Sequence, residues 1–175
     1  MVTANEALIK LKEGNQRFTS GIRNIDTNVK QVQRADFVEG QAPFAIILGC
    51  SDYRVPAEIV LDQGLGDLFV IRVAGNIVAP SQIGSVEFSA ELYGTPLVVV
   101  LGHSMCGAVK ATIEALEQPS EKNSSNVLSI VNRIRPTVEP LFATELRNVP
   151  KNNSIINSCE YSCSHKPVDA WLKLA

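Results

Sequence analysis

A chain of 175 residues, 45% of them hydrophobic, is long enough to form one globular domain with a buried core and a small polar site. Its formal net charge is only −2 at pH 7, and no run of Lys or Arg forms the cationic stripe that nucleic acid or an anionic membrane surface requires. These features argue against nucleic-acid and membrane partners and favour a small-molecule substrate.

The first 18 residues mix acidic and basic side chains with apolar ones, so they lack the unbroken apolar centre of a secretory signal. No later apolar run is long enough to span a bilayer. We therefore expect a cytoplasmic protein.

The N-terminal region is predicted to form a helical arm over about residues 1–38. Thr3 or Asn5 can cap a first helix with one apolar face, and Gly14 is expected to weaken or end it. A second helix is predicted near residues 28–37.

Short apolar runs alternate with helical patterns through the middle of the chain. Three runs have the composition of strands buried on both faces, and they lie at residues 44–49, 68–72 and 97–101. Helical spacing is present over residues 81–93, closed by Gly94, and over residues 108–116, stopped by Pro119. This alternation predicts an α/β fold with a mainly parallel sheet flanked by helices.

The last part of the chain is predicted to be helical and then atypical. Two helices are expected at residues 127–134 and 137–146, on either side of Pro136. We place the end of the single domain at residue 156, because two of the four cysteines, one of the two histidines and the only tryptophan lie in residues 157–175.

Metal-binding residue types follow two of the predicted strands. Cys50 comes directly after the first run, His103 follows the third run after one glycine, and Cys106 lies at a helix start. In an open parallel sheet, ligands bind beyond the carboxyl ends of the strands, so these side chains converge if the two strands are neighbours. Two thiolates and one imidazole suit zinc, and three protein ligands leave a fourth position open for water, as in catalytic sites.

Each of these residues also has an ordinary structural interpretation. A buried cysteine beside a glycine is more often a core residue than a ligand, and a histidine after a strand is often only hydrogen-bonded in a loop. The convergence of three favours metal binding. A disulfide framework is a poor alternative for a chain of this size and type.

The segments around these residues resemble those of the β-carbonic anhydrases. Cys50 begins Cys-Ser-Asp-Tyr-Arg-Val-Pro, and His103 lies in Gly-His-Ser-Met-Cys-Gly. The family has Cys-Ser-Asp-x-Arg-Val and Gly-His-x-x-Cys-Gly at a similar separation, and the likeness extends over about residues 5–149. The resemblance implies zinc on Cys50, His103 and Cys106, and reversible hydration of carbon dioxide to bicarbonate and a proton.

By the same resemblance, Asp52 and Arg54 form a catalytic pair. Their spacing allows a charge-assisted contact that keeps the carboxylate ionised and oriented, so that it accepts a proton from the attacking hydroxide. The alternative is an ion pair that only stiffens a loop. Related enzymes also have a closed state with the aspartate on zinc, which makes Asp52 a candidate fourth ligand.

Five further residues are candidates for substrate binding. The resemblance implies that the amide of Gln41 hydrogen-bonds the substrate or bicarbonate. The backbone N–H of Gly107, at a helix start, is a candidate anion contact. Phe69, Ala74 and, from a neighbouring subunit, Phe88 are expected to form apolar walls.

The resemblance also implies a homodimer or a larger homo-oligomer. In the family the N-terminal helix reaches across to a neighbour, and Leu8, Leu11 and Phe18 would otherwise stay exposed.

Other functions remain open at this point. A carbon disulfide or carbonyl sulfide hydrolase would use the same ligands. A weakly active or inactive zinc-binding homologue is the other alternative, because relatives continue past the equivalent of Val149 into a strand and helix that this chain is expected to lack through a truncated or frame-shifted end. A second metal cluster would have only three donors, Cys159, Cys163 and His165.

Overall fold

The computed structural model describes residues 2–22, 41–118 and 124–144. The helix predicted near residues 28–37 and the atypical tail over residues 157–175 lie outside the described residues. The domain boundary at residue 156 and the expected lack of a C-terminal strand and helix therefore stay predictions.

The first helix, α1 (Ala4–Thr19), begins with a capping box. The Thr3 hydroxyl accepts the Glu6 N–H at 3.3 Å, and the Glu6 carboxylate accepts the Thr3 N–H at 2.7 Å. These bonds hold the pKa of Glu6 below its usual value, with the backbone N–H of Thr3 as the main cause. Of the two predicted caps, Thr3 is therefore the one that is used.

Gly14 does not end α1, so the part of the prediction that placed the helix end there is wrong. The helix passes over the chain that follows the short helix α2 (Ala57–Val60), and a Cβ at position 14 would come 1.8 Å from the Leu61 carbonyl oxygen. The Asn15 side chain then donates to the Val60 carbonyl at 2.9 Å. Gly14 is present because it permits this close approach.

The apolar face of α1 packs on the core of its own chain, contrary to the expectation that a neighbouring subunit is needed to cover it. Leu11 is fully buried, and Leu8 and Phe18 are partly buried against the core of the same chain. These side chains therefore need no second copy to cover them.

The strands form a parallel sheet in the order β2-β1-β3. Their bounds are Ala45–Gly49 for β1, Leu68–Arg72 for β2 and Val98–Leu101 for β3. Gly49 pairs with Arg72 on one side and with Leu101 on the other, so all three carboxyl ends lie at one edge of the sheet. The predicted parallel sheet flanked by helices is confirmed.

Helices cover both faces of the sheet. The three longer ones after β2 are α3 (Pro80–Tyr93), α4 (Gly107–Glu117) and α5 (Ser125–Val138). Helices α1 and α2 bury one face, Val86 of α3 packs on the other, and α4 packs with α5 around Cys50 and Cys106. No helix among the described residues is long and apolar enough to cross a membrane.

Pro136 lies inside α5 and does not separate two helices, contrary to the prediction. Proline removes one helical N–H, which would have bonded the carbonyl of Asn132. Asn132 lies on the exposed side of the helix. Ile134 and Val138, on either side of the proline, are 1% and 0% exposed, and their burial holds the helix together. After α5 the chain continues as a 3-10 turn, Glu139–Ala143.

The contact at Gly14 gives a stability prediction. Gly14→Ala should lower the free energy of unfolding by about 1–3 kcal/mol or more, because the new methyl group overlaps the Leu61 carbonyl. Urea denaturation of the two proteins measures the difference.

The matched control is Gly84→Ala in α3. Position 84 is exposed and helical, and a Cβ there would meet nothing within 4 Å. This variant should gain roughly 0.5–1 kcal/mol, since alanine is the better helix former. Equal effects of the two substitutions would contradict the packing argument.

Candidate metal centre

Cys50, His103 and Cys106 come together at the carboxyl edge of the sheet. Their ligand atoms all lie within 4.8 Å of one another, and the two sulfur atoms are 4.0 Å apart. Both cysteines are 4% exposed, and His103 is half-buried. The predicted convergence is thus present in the structure, and we call these residues the three-donor cluster.

The sheet and one turn explain this convergence. Strands β1 and β3 are parallel neighbours, so Cys50 and His103 leave the sheet side by side. Between His103 and Cys106, Met105 has a φ of 59°, a left-handed conformation that is uncommon for a residue with a side chain. This turn places Cys106 at the start of α4, where it is the N-cap.

The imidazole of His103 has one engaged and one unengaged nitrogen. Its Nδ1 lies 2.9 Å from the Ser104 carbonyl oxygen, to which the Nδ1–H tautomer donates. Its Nε2 is buried and has no hydrogen-bond partner among the described residues. A buried nitrogen lone pair without a partner is costly, and a metal ion would satisfy it.

The two thiols influence each other strongly. The pKa of Cys50 is lowered, chiefly because the Cys106 thiol hydrogen-bonds to its sulfur. The pKa of Cys106 is raised, first by that same contact and then by burial. Without a cation one sulfur therefore keeps its proton, whereas a divalent cation between them stabilises both as thiolates. The donor set thus fits zinc, which binds cysteine sulfur and histidine nitrogen.

Asp52 and Arg54 form a two-pronged ion pair beside the cluster. Arg54 Nε donates to Asp52 Oδ1 at 2.8 Å, and Nη2 donates to Oδ2 at 2.7 Å. The guanidinium holds the pKa of Asp52 well below its usual range, so this carboxylate is ionised at neutral pH. Arg54 Nη2 also donates to the Met105 carbonyl at 3.0 Å, which links the Cys50 and His103 loops.

Arg72 supports the backbone of the site, and the sequence analysis assigned it no role. It ends β2, and its Nε donates to the Cys50 carbonyl at 2.8 Å while Nη2 donates to the Asp52 carbonyl at 2.5 Å. One side chain thus fixes the backbone of both residues. The available signal was a charged residue at the end of an otherwise apolar strand.

The substrate-binding candidates lie in different surroundings. Gly107 is the first residue of α4, directly after Cys106, and Ala74 follows β2 in the 3-10 turn Ala74–Asn76, which we call the β2 turn. Gln41 is exposed, and its Nε2 donates to the Tyr93 hydroxyl at 2.7 Å.

The two phenylalanines belong to an aromatic group that includes Tyr93. The ring centroid of Phe88 is 6.4 Å from that of Phe69 and 5.8 Å from that of Tyr93. Phe88 is 51% exposed. Its contacts here are within its own chain, so a role in the site of a neighbouring subunit stays a prediction.

The chain is similar to known proteins over most of its length. The model of the carbonic anhydrase family matches residues 45–169, a range that contains the whole three-donor cluster. A carbonic anhydrase of Mycolicibacterium smegmatis is 44% identical over 128 residues, which are 73% of this chain and 61% of that protein. Carbonic anhydrase 2 of Mycobacterium tuberculosis gives the same identity and coverage. The chain therefore spans about 61% of the length of these relatives.

Solved structures agree on the fold. The β-carbonic anhydrase CafA of Aspergillus fumigatus has a TM-score of 0.64 at 24% identity, over 90% of this chain and 70% of that one. A tetrameric β-carbonic anhydrase of Sordaria macrospora has the same score and identity, over 79% and 72% of the two chains.

Proposed function

Because the chain belongs to the carbonic anhydrase family, in its β class, we propose that it hydrates carbon dioxide reversibly to bicarbonate and a proton, with zinc held by Cys50, His103 and Cys106. The observation that supports this most strongly is the pair of buried sulfurs and the unpartnered imidazole nitrogen within 4.8 Å of one another. When bound, zinc lowers the pKa of water enough to supply a nucleophile near neutral pH.

Asp52 is the proposed hydrogen-bond acceptor for the attacking group of the site. As an ionised carboxylate it accepts hydrogen bonds only, so it orients an attacking group that still carries a proton. Asp52 Oδ1 accepts both the backbone N–H and the Nε of Arg54, and Oδ2 accepts only Nη2, so the lone pair left for an attacking group lies on Oδ2. With both oxygens held by Arg54, the structure favours Asp52 as an acceptor over its role as a fourth ligand.

Arg54 and Arg72 are proposed to keep the site rigid. Arg54 joins the Asp52 carboxylate to the Met105 carbonyl, and Arg72 holds the carbonyls of Cys50 and Asp52. The ligand Cys50 and the acceptor Asp52 thus lie on one rigid segment of backbone. Such preorganisation lowers the free energy of the transition state.

The substrate is proposed to lie beside the cluster. Gly107, at the start of α4, offers a backbone N–H to an anion such as bicarbonate, and Ala74, in the β2 turn, offers apolar surface. Phe69 pairs with Ile46, four positions before Cys50, so within this chain it lies about 13 Å along the sheet from the donors, and its role as an apolar wall stays a prediction. Gln41 precedes β1 and donates one N–H to the Tyr93 hydroxyl, so within this chain it lies at the opposite end of the strand from Cys50, and its contact with the substrate stays a prediction. Phe88 of a neighbouring subunit is proposed as a further apolar wall of the site.

Cytoplasmic location also stays a prediction.

Stopped-flow measurement of carbon dioxide hydration by the full, metal-quantified chain tests this function. Turnover should require zinc, disappear with a chelator and return when zinc is restored. Hydrogen sulfide release from carbon disulfide or carbonyl sulfide, with no carbon dioxide hydration, would favour the hydrolase alternative. Stoichiometric zinc without either turnover would show a zinc-binding homologue.

We also propose a homodimer or larger homo-oligomer. Helix α3 exposes a run of large apolar side chains: Ile83 is 47% exposed, Phe88 51% and Leu92 62%. Apolar patches of this kind mark interaction surfaces. Sedimentation at micromolar concentration should give at least a dimer, and Leu92→Glu should shift it towards monomer. A folded, active monomer of the parent chain would contradict the proposal.

A further inference from the structure

The β2 turn brings a backbone donor to the three-donor cluster. The N–H of Gly75 donates to the Cys50 sulfur at 3.4 Å. Gly75 is 25 positions away from Cys50 in the chain, and the register of β1 and β2 brings the two together. The cysteine sulfur thus has a donor from the protein that is independent of any metal.

Only glycine can occupy position 75. Its φ is 72°, and a Cβ there would come 2.6 Å from Ile134 Cδ1 and 2.9 Å from Ala108 Cβ. The β2 turn therefore packs closely against α4 and α5, and these helices fix the position of the Gly75 N–H. A residue with a side chain would move the donor away from the sulfur.

Asn76 ties the same turn to β3. Its φ is 52°, a conformation that asparagine tolerates better than most residues, and its Nδ2 donates to the Leu101 carbonyl at 2.6 Å. Leu101 is the last residue of β3, two positions before His103. The β2 turn thus contacts the chain next to two of the three donors, Cys50 through Gly75 and His103 through Asn76.

We propose that Gly75 and Asn76 are positioning residues of the metal centre: Gly75 directs its N–H at the thiolate of Cys50, and Asn76 holds the turn that aims this N–H. The inference rests on the proposed zinc site. A donor aimed at a ligand sulfur stabilises its charge and fixes its direction, and loss of such a partner lowers metal affinity or activity by about 10- to 100-fold.

NMR of the full chain, labelled with ¹⁵N and loaded with ¹¹³Cd²⁺ in place of zinc, tests the contact directly. Cadmium should show scalar coupling to the β protons of Cys50 and Cys106 and, through the hydrogen bond, to the amide proton of Gly75. Cysteine couplings without a Gly75 coupling would overturn the inference and leave the ligand assignment standing. Without any cysteine coupling, both would fall.

Asn76→Asp tests the role of the turn. The variant has nearly the same shape, but it replaces the Nδ2 donor with an oxygen facing the Leu101 carbonyl. Zinc affinity, measured by competition with a chelator, should fall by about 10- to 100-fold, and the Gly75 coupling should weaken. Unchanged affinity with an intact coupling would overturn the role of Asn76.

Asn15→Asp is the matched control. Asn15 also donates from Nδ2 to a backbone carbonyl, that of Val60 at 2.9 Å, but it lies between α1 and α2. This variant should bind zinc like the parent protein. An equal loss in both variants would mean that Asn76 acts only through general stability. If Asn76→Asp does not fold, Asn76→Ala takes its place with the same expected fall in zinc affinity. The Gly75 coupling in the parent protein still tests the contact with Cys50.

Discussion

Cys50→Ala should lose zinc and, with it, carbon dioxide hydration. The substitution removes one of the two sulfurs and leaves His103 Nε2 and Cys106 as an incomplete site. Zinc affinity should therefore fall by at least about 100-fold, and the purified variant should carry no stoichiometric metal. Elemental analysis after dialysis measures this, with about one zinc per parent chain as the reference.

The control uses the cysteines at the other end of the chain. The test variant carries both Cys50→Ala and Cys106→Ala, and the control variant carries both Cys159→Ala and Cys163→Ala. Each loses two thiols, and the control variant should keep its zinc. Full zinc in the Cys50, Cys106 double variant would contradict the site assignment. It would direct attention to Cys159, Cys163 and His165.

Asp52→Asn and Arg54→Ala should bind zinc but turn over about 100-fold more slowly or worse. Asparagine keeps the shape of the carboxylate but not its charge, so it is a weaker acceptor. Arg54→Ala removes the side-chain bonds to both carboxylate oxygens and to the Met105 carbonyl, and leaves only the backbone N–H of residue 54 on Asp52 Oδ1. Stopped-flow rates per bound zinc separate this effect from metal loss.

Arg17→Ala is the matched control for the pair. Arg17 Nε contacts Asp62 Oδ2 at 2.6 Å, so the variant also breaks an arginine–carboxylate bond, but between α1 and the chain after α2. Turnover per zinc should stay at the parent value. If Asp52→Asn and Arg54→Ala also hydrate carbon dioxide at that rate, the pair is only structural.

The strands and the donors could be predicted because their signals are local. A strand buried on both faces is a short apolar run, and β2 has the predicted bounds, Leu68–Arg72. Cys50 and His103 follow such runs, and parallel strands bring their carboxyl ends to one edge. The position of the cluster therefore followed from the pattern and the topology.

Features that depend on contacts between distant segments could not be predicted. Gly14 and Pro136 are residue types that disfavour a helix, yet both lie inside one. Gly14 does so because α1 packs closely on Leu61, and Pro136 because Ile134 beside it is buried. Arg72 acts through backbone carbonyls about 20 positions away in the chain, which leave no trace in a local pattern.

The strand order also affects how the centre would release its metal. Within the described residues β1 pairs on both sides, whereas β3 pairs only with β1. Cys50 thus extends from the inner strand, and His103 and Cys106 follow the outer one. Separation of β3 from β1 would carry away two of the three donors at once, because both follow β3 in the chain. Bound zinc opposes that opening, and amide hydrogen exchange along β3 should slow as the metal is added, while the middle of β1 is protected with or without it.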